Sequence, residues 1–446
     1  MKRVAFIFTC LLLAIPCQAR TITVDDDAPA DFNNIQSAID DANNGDVIIV
    51  APGEYIINEP ITYRGKNITL KSEEGPEKTI VRINPIDRYH ASVFIFENGE
   101  DREAVLEGFT ITGGKGYLSS PFGTVKLWGG GIYCQESSPT IKNSIIKENK
   151  GEGGGIACLR ADPLIISNVI LNNEASEGGG GIYAHYYSRP IILNNIIKEN
   201  SVWSERGGGI YCDYYSSIVV KNNIIIDNFA DEIGGGISIA ISQTPLESII
   251  ENNIIAKNRV YEFGGGIHFI GNVVVVGNTI VQNSAGHGGS GISGRTENLL
   301  VNNIIYDNTL LHIQPSQVFY SDISQEGFAG INGNIFADPL FADPNNNDYH
   351  LKSQAGRWYP NVLTWIQDEI TSLCIDAGDP ASPIGLEPFP NGGIINMGAY
   401  GGTAEASKSY FGEPVCETIV AGDINGDCKV DFQDFALMAS HWLEER

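Results

Sequence analysis

Two sets of side chains in this sequence have the types and spacing to do chemistry. Near the C-terminus, Asp423, Asn425, Asp427, Asp431 and Asp434 fall at positions 1, 3, 5, 9 and 12 of a loop, with the Lys429 carbonyl at position 7. Hard oxygen donors at this spacing suit a calcium ion, so Ca2+ is the expected cofactor. An acidic surface tail would have no reason to fill those slots so completely. Val430 and the run Phe435-Ala436-Leu437-Met438, with Trp442-Leu443, supply the apolar face of a helix leaving the loop. Cys428 stands at position 6, where glycine usually gives a left-handed turn, at a cost of roughly 1 kcal/mol. A Cys416–Cys428 disulfide closing a short loop around the first ligands is one compensation open to the chain.

The second set is a file of carboxylates. Glu177, Glu205, Glu232 and Glu262 each stand five residues before an isoleucine that follows a glycine cluster. If those positions stack in register, neighbours lie about 4.8 Å apart and alternate members about twice that, which spans both carboxylate separations used in glycoside cleavage. The plainer reading makes them solvated turn residues that keep a loop face soluble; the chemical reading makes them acid/base candidates. Tyr133, Tyr183 and Tyr211 share one strand position after the same clusters, and Trp203 lies on the glutamate side. Sugars present apolar faces and hydroxyl edges, so aromatic rings beside carboxylates are the expected substrate-binding residues. The alternative is that these rings merely flank turns.

What must position them is a repeat. Glycine clusters precede Ile132, Ile156, Ile182, Ile210, Ile237, Ile267 and Ile292, at intervals of 24 to 30 residues. This period is that of a solenoid, whose units bury their apolar side only by stacking. Each unit carries three short β-branched runs, as in Pro190-Ile191-Ile192-Leu193, Asn195-Ile196-Ile197 and Gly209-Ile210-Tyr211-Cys212, which predict three parallel strands per coil. Two asparagine columns, through Asn149, Asn173, Asn200 and Asn228 and through Asn168, Asn195 and Asn223, predict left-handed corners and amide ladders. Strand alternation turns the isoleucines and Cys134, Cys158 and Cys212 inward and the tyrosines outward, predicting an exposed tyrosine row. Cys134 and Cys158, on consecutive coils, either pack as thiols or form a cross-coil disulfide.

The termini and composition point outside the cell. Met1-Lys2-Arg3, an apolar run over 4–15 and Cys17-Gln18-Ala19 have the regions of a secretory signal, with cleavage expected after Ala19. The 446 residues carry 54 acidic against 28 basic side chains, a formal charge of −26 that repels nucleic acid. No later stretch is apolar enough to span a membrane.

The repeat resembles the right-handed parallel β-helix proteins of the pectin-lyase-like class. Ile35-Gln36-Ser37-Ala38-Ile39 and the strand of 45–55 look like the helix and first strand that cap such solenoids. The resemblance implies an all-β fold: a right-handed parallel β-helix with an N-terminal capping helix over residues 20–335, after a signal at 1–19. The phrases Ala337-Asp338-Pro339-Leu340, Cys374-Ile375-Asp376-Ala377-Gly378-Asp379 and Asn396-Met397-Gly398-Ala399-Tyr400 resemble the C-terminal, anchor-type segment of secreted bacterial β-helix proteins, here 336–410, expected to close the solenoid's end. With Asp at position 12, the loop of 411–446 resembles a dockerin repeat, a small EF-hand-like helical module, although dockerins carry two. Gly286-His287-Gly288 resembles the histidine motif of polygalacturonases, but Ile280 stands where their carboxylate would, and no pectate-lyase aspartate cluster with a basic partner is present. The expected function is an exported protein that binds, and either cuts or only holds, an extracellular polysaccharide, with a cohesin-like or cell-surface partner for the tail. The alternative is a non-enzymatic adhesion rod.

Overall fold

The computed structural model describes residues 19–84, 91–120, 125–240, 247–295, 299–308, 318–411 and 430–441. Short β-branched segments bounded by glycine and asparagine cannot bury both faces alone, and here they stack into a parallel β-solenoid of about ten turns. Among the described residues one sheet of twelve strands runs from Thr21–Val24 to Val318–Phe319. A second, of eleven, runs from Gly53–Ile57 to Asp322–Ile323, and a third, of nine, from Ile61–Thr62 to Ile292–Arg295. A fourth strand of two residues is added on five coils, from Glu174–Ala175 to Ser284–Ala285.

The third sheet carries the glycine-isoleucine phrases. Ile132, Ile156, Ile182, Ile210, Ile237, Ile267 and Ile292 pair successively in register, and all are fully buried. The glycines before them have two tasks. Gly179 takes a left-handed φ of 63°, and a Cβ on Gly180 would lie 2.6 Å from the Gly208 carbonyl oxygen of the next coil. Close approach of successive backbones therefore requires the cluster.

Both asparagine columns form buried ladders. Asn173 Nδ2 donates to Asn200 Oδ1 at 3.0 Å and to the Ile146 carbonyl at 2.9 Å, and Asn200 repeats this toward Asn228 and Ile170. The left-handed residue is not the ladder asparagine, as the sequence suggested, but the one before it: Asn172 (φ 52°), Glu199 (55°) and Asp227 (56°) in one ladder, Asn194 (54°) and Asn222 (55°) in the other. The ladder asparagine is committed to side-chain bonding, and its predecessor turns the corner.

The helix Ile35–Asp41, capped by Asn34 accepting from Ser37 N, packs Ile35, Ala38 and Ile39 into the N-terminal end of the core. At the far end Phe328 joins the same core. The segment 336–411 lies along the flank of the last coils, with Tyr349 and Ala399 on Ile226, Ile254 and Val281 of the second sheet. Gly398 N donates to the Asn302 carbonyl at 2.8 Å and Cys374 Sγ to Asp322 Oδ2 at 3.3 Å. Cys134 and Cys158 are register partners but buried free thiols, so no cross-coil disulfide joins them; single-file inward packing is their role. Residues 1–18, which hold most of the expected signal, and Cys416 and Cys428 lie outside the described residues. No helix among the described residues is long and apolar enough to cross a membrane.

Candidate functional site

The outward tyrosines do not form an exposed row. Tyr133, Tyr183 and Tyr211 are buried, because the antiparallel hairpin Tyr117–Ser119 and Lys126–Trp128 folds over the outer face of the third sheet. Tyr117 packs on Tyr133, and Trp128 lies against Tyr183 and His185, with ring centroids 6.0 and 5.3 Å away. Their predicted outward direction is correct: they belong to a cluster separate from the solenoid core. What a single repeat could not show is the excursion that covers them.

Where the hairpin ends, a cleft of about 740 Å³ opens. Tyr183 and Tyr211, stacked at 5.0 Å with an 18° tilt, make its floor with His185, Asp213 and Ala240. Glu177, Glu205 and Arg206 line one side, Tyr186 and Tyr214 another, and Lys126 and Trp128 reach in from the hairpin. Gly178 is required here by space: a Cβ would lie 2.7 Å from Tyr211 Cδ1.

Asp213 is the organising group. It is 3% exposed; its Oδ1 lies 2.7 Å from His185 Nδ1, and its Oδ2 accepts from the Tyr183 hydroxyl at 2.9 Å. A carboxylate that fixes one imidazole nitrogen orients the ring and sets its tautomer. Burial first, and then the Asp213 charge, push the Tyr183 phenol well above its ordinary pKa, so it remains a donor. The backbone after this pair is unusual: Tyr186, Tyr187, Tyr214 and Tyr215 all have positive φ, 53°, 64°, 40° and 64°. Paired left-handed non-glycine residues store strain, which collects at functional sites.

The glutamate file is in register along its backbone. Glu232 N donates to the Glu205 carbonyl at 3.0 Å and His287 N to the Glu262 carbonyl at 2.9 Å, while Gly178, Arg206, Ile233 and Phe263 pair successively. Only Glu177 and Glu205 of the file line the cleft; Glu232 and Glu262 lie further along it. Lys126 Nζ pairs with Glu177. For that lysine burial lowers the pKa, but the hydrogen bond and charge of Glu177 outweigh it and the net shift is upward. Glu205 is raised, mainly by burial and then by the Glu177 charge, with Lys126 and Arg206 opposing. Beneath them Glu152 is also raised by burial, although its carboxylate accepts from Gly178 N at 2.9 Å and Glu177 N at 3.1 Å. Trp128 Nε1, which is buried, has no hydrogen-bond partner among the described residues.

Trp203 does not line the cleft. It is 61% exposed, 5.9 Å from Phe229, just after the two-residue strand Ser201–Val202 that precedes Glu205. The chain reaches the glutamates only after that strand, so a residue two positions before Glu205 belongs to a different face. Sequence reasoning missed His185, Asp213, Lys126 and Arg206. A signal existed for the first two: His185-Tyr186-Tyr187-Ser188 and Asp213-Tyr214-Tyr215-Ser216 repeat one phrase on consecutive coils, exchanging a base for an acid at the matching position. Of the expected metal ligands, Asp423, Asn425, Asp427 and Lys429 lie outside the described residues. Asp431 and Asp434 stand at the start of the helix Phe432–His441, where Asp434 Oδ2 accepts from Asp431 N at 2.7 Å.

Comparison with known proteins bears mainly on the fold. Residues 95–258 match the family described as Right handed beta helix region, and 240–378 the family Disaggregatase related, each less than half of the chain. No curated protein matches. Similar solved structures include pectate lyase Pel9A, at 15% identity over 85% of this chain and 96% of that one, with a TM-score of 0.40. A rhamnogalacturonan lyase matches at 13% identity over 80% and 97%, TM-score 0.42, and ORF18 of Geobacillus virus E2 at 12% over 58% and 53%, TM-score 0.27. At such scores none of them transfers a site or an activity to this chain.

Proposed function

We propose that this chain is an exported carbohydrate-active β-helix protein whose cleft over Tyr183 and Tyr211 binds an extracellular polysaccharide and cleaves it by general acid/base chemistry. One observation carries the reading: a stacked aromatic floor and an aspartate-oriented histidine share a cleft with two carboxylates on adjacent coils. The exposed Tyr214 ring at the side of the cleft takes the apolar face of a sugar and the surrounding carboxylates its hydroxyls, over the edges of the buried Tyr183–Tyr211 pair. Glu205, with its pKa raised, is the proton donor to the leaving oxygen; Glu177, held by Lys126, supplies negative charge beside the developing cation. The Gly178–Arg206 bridge sets the two glutamates one coil apart, about 4.8 Å along the backbone, which leaves no room for a water between an acid and a base carboxylate, so the water-activating role falls to His185. His185, positioned by Asp213, is the proton acceptor for an attacking water.

The reading is tested by a glycan array and a reducing-end assay. Glu205→Gln should abolish release of reducing ends while leaving binding intact; binding by the native protein with no release would make it an adhesion rod and remove the catalytic half of the proposal.

The tail reading rests on the ligand spacing and on the helix Phe432–His441 opening directly after Asp431, as a calcium loop's exit helix does. Bound calcium would order this loop for attachment to a cohesin-like or cell-surface partner. Calorimetric titration of the whole chain should show calcium uptake that Asp423→Ala removes; uptake unchanged in that variant would place the ion elsewhere.

A further inference from the structure

Outside the cleft, Trp203, Phe229 and Tyr261 form an aromatic ledge, with Trp203 and Tyr261 61% and 65% exposed. Their rings follow one another along the solenoid axis, Trp203 tilted by 59° to Phe229 at 5.9 Å and Phe229 edge to face with Tyr261 at 5.3 Å. Backbone pairing of Ser201–Val202 with Phe229–Ala230, and of these with Arg259–Val260, fixes the register, so that Trp203, Asp231 and Tyr261 occupy one column on three successive coils. The two exposed residues thus stand about 10 Å apart along the column, two strand spacings, with Asp231 at the position between them and the Phe229 ring touching both rings. Two aromatic platforms at the length of two pyranose units, separated by a hydroxyl acceptor, match a glycan chain lying along the axis.

The charge around the ledge selects the kind of chain. Asp231 lies within it, and Glu232 and Glu262 follow immediately in sequence on the same coils. Arg259 has its guanidinium 5.8 Å over the Phe229 ring, engaged with that aromatic face. On a chain of formal charge −26 this surface disfavours a polyuronate and favours a neutral polymer whose hydroxyls donate to carboxylates. From this juxtaposition we infer that the Trp203–Asp231–Tyr261 ledge is a second carbohydrate-binding site, for a neutral β-linked pyranose chain, that holds the polymer independently of the cleft. It gives Trp203 the sugar-binding role expected from sequence, at a different place, and it rests on the carbohydrate reading of the molecule but not on catalysis in the cleft.

The test uses the full-length protein and the neutral probe cellohexaose, followed by tryptophan fluorescence and calorimetry, with polygalacturonate as the anionic control. Binding of cellohexaose should perturb tryptophan emission, and Trp203→Ala combined with Tyr261→Ala should weaken it about tenfold or more. Both side chains are exposed, so the double variant should keep the native unfolding midpoint. His185→Ala and Tyr214→Ala, which strip side chains from the lining of the cleft, should leave cellohexaose binding at the ledge unchanged. No cellohexaose binding by the native protein, binding insensitive to the ledge variants, or stronger binding of polygalacturonate at the ledge would each overturn the inference. Absence of reducing-end release by the native protein, with ledge binding intact, would instead count against catalysis in the cleft alone.

Discussion

Tyr183 and Tyr211 show how one residue position acquires a function from its neighbours. Each is the outward residue of a Gly-Ile-Tyr phrase, and each becomes part of a cleft floor because Gly178 leaves room for a ring and the hairpin through Trp128 shelters it. Gly178→Ala adds a Cβ that the Tyr211 ring must move to accommodate. We expect a stability loss of about 1–2 kcal/mol from overpacking and about tenfold weaker glycan binding from the broken stack, measured by thermal unfolding and by titration. A variant with native affinity would show that the Tyr183–Tyr211 stack does not contact the ligand. Legibility at this scale was uneven. The tyrosine and glutamate columns stood out because they repeat, whereas Lys126 arrives from a hairpin with no counterpart in other coils.

The elements are held together by bonds between coils more than within them. Asn200 accepts from Asn173 N and Nδ2 and donates to Ile170 O and Asn228 Oδ1, all within a fully buried ladder. Asn200→Ala leaves several of these groups without partners, at about 1–3 kcal/mol each before relaxation. The expected result is a drop of about 3 kcal/mol or more in denaturant unfolding, whereas the equivalent change at exposed Asn172 should have little effect beyond its left-handed turn. Equal losses at the two positions would mean the ladder is not what fixes the corner. The ladder was readable from sequence since its period matches the coil; which asparagine bends the backbone was not, because both adjacent positions favour turns.

On the scale of the whole molecule, the flank formed by 336–411 is held partly by buried acids. Glu387 Oε1 accepts from Asn396 N at 2.8 Å and Gly402 N at 2.9 Å, and burial, reinforced by Asp376, pushes its pKa up to about 7. A carboxyl with a folded pKa above its unfolded one contributes stability that is full at low pH and is lost as pH rises toward 7. Glu387→Gln keeps the acceptor and removes the charge. It should therefore stabilise the flank at pH 8, by up to about 3 kcal/mol, and have little effect at pH 4. Hydrogen exchange at the Asn396 and Gly402 amides reads this directly, and equal protection at both pH values in the native chain would contradict it.

By itself the sequence determined everything that recurs: the parallel coil, its inward isoleucines, its glycine corners and its asparagine ladders. A repeated residue meets its own copy in the next coil, so local pattern and tertiary contact carry the same information. Only the tertiary structure decided what is unique. The hairpin that buries the tyrosines, the Asp213 clamp on His185, the separation of Trp203 from the cleft and the placement of 336–411 along the side all depend on contacts between segments that share no period. Periodicity cannot encode such contacts, because each is made once.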